Sequence, residues 1–211
     1  MTRLFAIGDI HGCYGLLKRL LEKLPIDWQK DKLIFLGDYI DRGTEVKKVL
    51  ETVINLKSIY KDNVICLLGN HEDMLLDYLK GFNKILYLTL GGNDTINSYG
   101  GIQNIPKTHI DFIKSLELIF ETDEYIFVHA GLRPHIPVEQ QSKDDLIWIR
   151  ESFYESDYDW GKTIIFGHTP MATPFIQPNK IGIDTGAVYG GRLTAVELPD
   201  IKFYSVGWDE I

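Results

Sequence analysis

Five short motifs hold most of the side chains able to do chemistry: residues 8–12 read GDIHG, 37–43 GDYIDRG, 69–72 GNHE, 129–131 HAG and 167–169 GHT. Together they supply Asp9, His11, Asp38, Asp41, Arg42, Asn70, His71, His129 and His168. Carboxylate, amide and imidazole donors without a thiolate suit manganese, iron or zinc in a catalytic site, and not a cysteine-rich structural zinc site. They outnumber what one catalytic ion with an open position can use, so two ions sharing a bridging carboxylate are expected. Each motif alone has a bland alternative, since Asp9 or Asn70 could simply cap a helix. Their order and spacing together carry the reading.

The elements that must position these residues are legible beside them. Each motif directly follows a short apolar run, LFAI, LIFL, VICLL, YIFV or TIIF, and runs this short ended by glycine or a polar residue read as buried strands. Helical spacing follows the first two motifs, in Leu16, Leu17, Leu20, Leu21 and Leu24, then in Val46, Val49, Leu50, Val53, Ile54 and Leu56. This predicts βαβ units with parallel strands, and ligands bind beyond the carboxyl ends of such strands. A third helix is expected from Glu72 to about Lys80.

Residues 81–118 break the pattern with glycines and polar residues before a helical stretch near Ile110 to Leu118. They are expected to form a partly helical excursion from a single α/β domain spanning 1–211, either bordering the site or serving only as a surface loop. The later runs PFIQ, KIGID, RLTAVEL and IKFYSV predict an antiparallel finish. His109 and His135 read as surface histidines, and Cys13 as a buried cysteine at a helix start.

Composition narrows the partners. The formal charge of −8, from 22 Lys and Arg against 30 Asp and Glu, argues against a nonspecific grip on nucleic acid or an anionic membrane. An anionic substrate would need local positive charge. Two cysteines make no disulfide framework. The opening MTRLFAIGDIHG does not read as a signal peptide, and no apolar run reaches spanning length, so a cytoplasmic protein is expected.

The ordered set GDIHG, GDYIDRG, GNHE, HAG and GHT closely resembles the PPP-type metallophosphatases, within the calcineurin-like metallophosphoesterases. The small size, the WIRES segment around Arg150 and the DTGAVYGG segment most resemble the compact bacterial and bacteriophage-lambda-type serine/threonine protein phosphatases. The resemblance implies an α-β-β-α sandwich of two mixed sheets flanked by helices, with the site in loops at its edge. It implies two divalent ions, manganese or else iron or zinc, with Asp9 and His11 on one, Asp38 bridging, and Asn70, His129 and His168 on the other. His71 would protonate the leaving alkoxide, and Asp41 would orient it and raise its pKa. Arg42, Arg150 and Asn70 would bind phosphate, with Tyr189 approaching from the C-terminal segment.

The implied activity is hydrolysis of phosphoserine and phosphothreonine, with phosphotyrosine a further candidate, on phosphorylated proteins or peptides by a metal-bridging hydroxide. The nearest rival resemblance is to symmetrical diadenosine tetraphosphate hydrolases. There the residue matching Asp41 is usually not aspartate and GNHE usually becomes GNHD, so Asp41 and Glu72 favour the protein phosphatase. A catalytically dead scaffold on the same fold would lack a ligand or the acid, and none is missing.

Overall fold

Phe5 and Ile7 face one side of the first strand and Ala6 the other, and all three are fully buried. An uninterrupted apolar run requires such cover on both faces. A computed structural model of the chain describes residues 2–211 and supplies it from two sheets and two layers of helices.

The strands are Leu4–Ile7 (β1), Lys32–Phe35 (β2), Val64–Cys66 (β3), Ile119–Glu121 (β4), Tyr125–Val128 (β5), Thr163–Phe166 (β6), Phe175–Gln177 (β7), Lys180–Gly182 (β8), Arg192–Leu198 (β9) and Lys202–Gly207 (β10). The helices are Tyr14–Lys23 (α1), Val46–Tyr60 (α2), Asn70–Lys80 (α3), Lys84–Tyr87 (α4), Asn93–Ser98 (α5), Lys107–Lys114 (α6), Lys143–Trp148 (α7) and Glu151–Tyr154 (α8).

One sheet runs β10-β9-β1-β2-β3 and the other β4-β5-β6-β8-β7. Each has a parallel centre, β1-β2-β3 or β5-β6-β8, with antiparallel strands added outside. Ala6, Ile34 and Ile65 meet Phe127, Ile165 and Ile181 between the sheets. Leu16, Leu20, Val49 and Val53 of α1 and α2 cover the first sheet, while Leu146, Ile147 and Phe153 of α7 and α8 cover the second. The result is the expected α-β-β-α layering.

All five apolar runs before the motifs form strands. The C-terminal runs do not form one antiparallel sheet: β8 lies parallel to β6, and β7 and β8 join the second sheet while β9 and β10 join the first. Local alternation says nothing about which sheet a strand joins. Residues 81–118 contain α4, a π-helical turn at Leu88–Gly92, α5 and α6, with Gly91 at φ 112° interrupting the turn. His109 is not a surface residue, because Tyr99 and its ring share a buried hydrogen bond of 2.7 Å. Cys13 is buried at the start of α1. Among the described residues no helix is long and apolar enough to cross a membrane.

Candidate active site

The carboxyl ends of the parallel strands converge at one edge of the sandwich. Asp9 and His11 follow β1, Asp38, Asp41 and Arg42 follow β2, Asn70 and His71 open α3 after β3, His129 follows β5, and His168 follows β6. All but Arg42 are buried. The His168 backbone N–H donates to Asp9 Oδ1 at 3.1 Å, tying the second sheet's loop to the first.

Reaching this convergence strains the chain. Five of the nine non-glycine residues at positive φ, among those described, are motif residues: His11 (44°), Asp38 (51°), Asp41 (69°), Arg42 (67°) and His168 (63°). Each such conformation costs about 1–3 kcal/mol and persists only where surroundings enforce it. Glu72 does much of the enforcing. Its buried carboxylate accepts from the backbone N–H of Tyr39 (2.9 Å), Ile40 (3.2 Å), Asp38 (3.0 Å) and Gly69 (3.1 Å), clamping residues 38–40 to the start of α3. Gly69 answers a need for space, since a Cβ there would lie 2.1 Å from Asp38 Oδ1.

Two groups, His11 with Asp38 and His71, and Asp38 with His129 and His168, place potential ligand atoms within 4.8 Å of one another. Nδ1 of His11 donates to the Ile40 carbonyl (2.8 Å) and Nδ1 of His129 to the Leu36 carbonyl (2.9 Å). A carbonyl only accepts, so Nε2 of each ring is left with a bare lone pair. Burial keeps the rings neutral, holding His129 down to about 3 and His11 and His168 well below the ordinary imidazole range.

His129 Nε2 then faces Asn70 Oδ1 at 3.0 Å, lone pair to lone pair, and His168 Nδ1 is 3.0 Å from the same oxygen. Donors about 2.1 Å from one cation and at right angles would be about 3.0 Å apart, so this spacing fits a coordination shell. His168 Nε2 is buried without any hydrogen-bond partner. Burial, followed by neighbouring carboxylates, pushes Asp9 and Asp38 well above the usual range, a crowding that bound cations would relieve. These histidines and aspartates are arranged to bind divalent metal ions.

His71, near His11 and Asp38, has a further partner that the other histidines lack. Its Nδ1 bonds Asp41 Oδ2 at 2.7 Å, and its Nε2, in a buried ring, makes no hydrogen bond to the described residues. Asp41 Oδ1 accepts from Tyr87 Oη (2.9 Å) and Thr95 Oγ1 (2.5 Å), both from the excursion, which therefore borders the site. The expected rise in the His71 pKa is not found: burial, then Arg42, holds it low, while burial pushes Asp41 to about 7. In so dry a place burial outweighs pairing, and an uncharged hydrogen-bonded pair is favoured over separated charges.

Among the described residues, two guanidinium groups lack carboxylate partners. Arg42 contacts His11 Nε2 and lies 5.4 Å from the Tyr189 ring centre. Arg150 is half-buried, makes no ion pair among the described residues, and its charge reaches His129, His168 and Asp184. They supply the local positive charge that an anionic substrate needs in an acidic protein.

Sequence reasoning missed Asp184, Tyr87 and Thr95. Asp184 is buried just beyond β8, and burial raises it to about 6. The run KIGID carried the same strand-then-acid signal as the motifs. Tyr87 and Thr95 carried none. A concavity of about 530 Å³ lined by Glu124, Tyr125, Lys162, Asn179 and Pro199 contains no motif residue, so hole size is no guide to the chemistry.

Fold and site together define a metal-binding phosphoesterase. The chain belongs to the calcineurin-like phosphoesterase family, which it matches over residues 2–202. It is 31% identical, over 95% of its own length and 92% of theirs, to proteins of Anoxybacillus flavithermus and a Geobacillus species named asymmetrical bis(5'-nucleosyl)-tetraphosphatase PrpE. Among solved structures it resembles a protein provisionally described as a diadenosine tetraphosphatase (TM-score 0.78, 27% identity, 99% of this chain and 95% of that one). A serine/threonine phosphatase of Saccharomyces cerevisiae shares the fold at 15% identity (TM-score 0.71, 98% and 80% covered).

These relatives overturn the expected protein serine/threonine phosphatase and, with it, phosphorylated proteins as partners. The relatives matched end to end are named for a dinucleotide substrate, and the lambda-type resemblance does not hold at that level. The structure shows why Asp41 and Glu72 misled. Glu72 is engaged by four backbone amides and Asp41 by His71, Tyr87 and Thr95, so both serve to hold the loops and the His71 ring in place.

Proposed function

We propose that the chain hydrolyses the polyphosphate bridge of a dinucleoside tetraphosphate off centre, releasing a nucleoside triphosphate and a nucleoside monophosphate. The 31% identity over 95% of the chain to proteins named for asymmetrical cleavage carries this reading. The unpaired Arg42 and Arg150 beside the buried ligand set support it.

In this reading Asp9 and His11 hold one divalent cation, Asn70, His129 and His168 hold a second, and Asp38 is shared, with manganese the favoured metal and iron or zinc suited to the same donors. Such a pair polarises phosphoryl oxygens and lowers the pKa of water. Arg42, Arg150 and the Asn70 amide hold bridge oxygens, and Tyr189 covers Arg42. His71, oriented by Asp41, delivers a proton from Nε2 to the departing oxygen. That oxygen belongs to a phosphate ionising near about pH 6, a far better leaving group than an alkoxide, so it asks less of His71.

The test is kcat/KM on diadenosine tetraphosphate against a phosphoserine peptide. A preference of about tenfold or more for the dinucleotide is expected, and equal or better turnover of the peptide would refute the reading.

A further inference from the structure

Two aromatic side chains stand uncovered at the rim of the site. Trp148 ends α7 and is 38% exposed although Ile147 and Ile149 on either side are buried. Its indole meets the His168 ring at 5.9 Å and 85°. Tyr189 is 62% exposed and lies against the Arg42 guanidinium. Large aromatic faces left in water gain by stacking on a planar partner.

Each aromatic accompanies an arginine. Arg150 lies two residues beyond Trp148, with buried Ile149 between them turned to the core, and Arg42 lies beneath Tyr189. Trp148 borders the His129, His168 and Asn70 group, while Tyr189 borders the His11 side. An aromatic with a guanidinium that no carboxylate neutralises on each flank matches a ligand that carries a phosphate joined to a planar base at each end.

We propose that Trp148 is a nucleobase platform, on which one base stacks while Arg150 holds the adjoining phosphate, with Tyr189 over Arg42 as the counterpart for the other nucleoside. The proposal rests on the dinucleoside tetraphosphate reading and names the residue that distinguishes a nucleotide from bare phosphate. Every base offers a π face, so the platform takes a base of any identity.

The test titrates ADP and, separately, inorganic pyrophosphate into the manganese-loaded protein while following tryptophan fluorescence. ADP should quench the emission and pyrophosphate should leave most of it. Trp148→Leu, which keeps Trp28, Trp160 and Trp208, should abolish that quench and weaken ADP about five- to a hundredfold, the range for one stacked base. Pyrophosphate affinity should move far less, and Trp148→Phe should keep most of the ADP affinity. Equal affinity of the parent protein for ADP and pyrophosphate would overturn the proposal. So would a Trp148→Leu variant that loses both ligands alike, since the indole would then only support His168. ADP binding through Trp148 without cleavage of diadenosine tetraphosphate would leave the platform standing and refute the proposed reaction.

Discussion

Thr95 Oγ1 bonds Asp41 twice, accepting from its backbone N–H at 2.9 Å and donating to its Oδ1 at 2.5 Å. With Tyr87 on the same carboxylate oxygen, a segment outside the strand-end motifs fixes how Asp41 presents its other oxygen to His71. Thr95→Val removes both bonds, leaving the buried Asp41 N–H without a partner and Oδ1 with Tyr87 alone. A buried group left without a partner costs about 1–3 kcal/mol. Urea unfolding should show a loss in that range, and kcat should fall more than KM changes. A variant as stable and as active as the parent would mean the excursion does not position the pair.

His71→Asn should separate leaving-group chemistry from metal binding. A general acid is worth about a hundred- to ten-thousandfold where the leaving group is poor. The fall in kcat should therefore be near that range on an alkyl phosphate monoester and about tenfold or less on diadenosine tetraphosphate, with bound metal unchanged by elemental analysis. Loss of metal would show that His71 is a ligand, as its place near His11 and Asp38 would allow.

Metal occupancy can be read without any turnover. A cation bound only by the folded state raises the unfolding temperature in proportion to the logarithm of its concentration. Manganese should do this in the parent protein after exhaustive chelation, and Asp38→Asn should abolish most of the effect because both groups share Asp38. An unchanged response in Asp38→Asn would remove Asp38 from the shared position.

The two thiols should be silent. Burial raises Cys13 and Cys66 from about 9 to about 12. The buried thiols stay protonated while the unfolded ones ionise from about pH 9, so their contribution to stability is complete below pH 9 and is lost as pH rises towards 12. A thiolate-specific reagent at pH 8 should label neither cysteine in the native protein and both in urea. Native labelling of Cys13 would show that the helix start beside His11 opens.

The five strand-end motifs were legible because each polar residue directly follows a buried run, so one short window holds both the scaffold and the chemistry. The sandwich was not legible from periodicity and came only through resemblance. Nothing local in KIGID distinguishes a strand parallel to β6 from the antiparallel finish expected there, and Asp184 was passed over with it. Tyr87 and Thr95 were invisible because the residue they serve, Asp41, lies far away in sequence and neither belongs to a motif. His109 was misplaced because its partner Tyr99 lies outside its own helix. Substrate class was misread for a different reason: the hydrogen bonds of Asp41 and Glu72 report how the loops are held.

The most direct test of the account is the product pattern from diadenosine tetraphosphate incubated with the manganese-loaded protein and resolved by ion exchange. Equal amounts of ATP and AMP, absent after chelation and restored by manganese, are predicted. Two molecules of ADP would place the cut at the centre of the bridge, and an intact dinucleotide would contradict the proposed function.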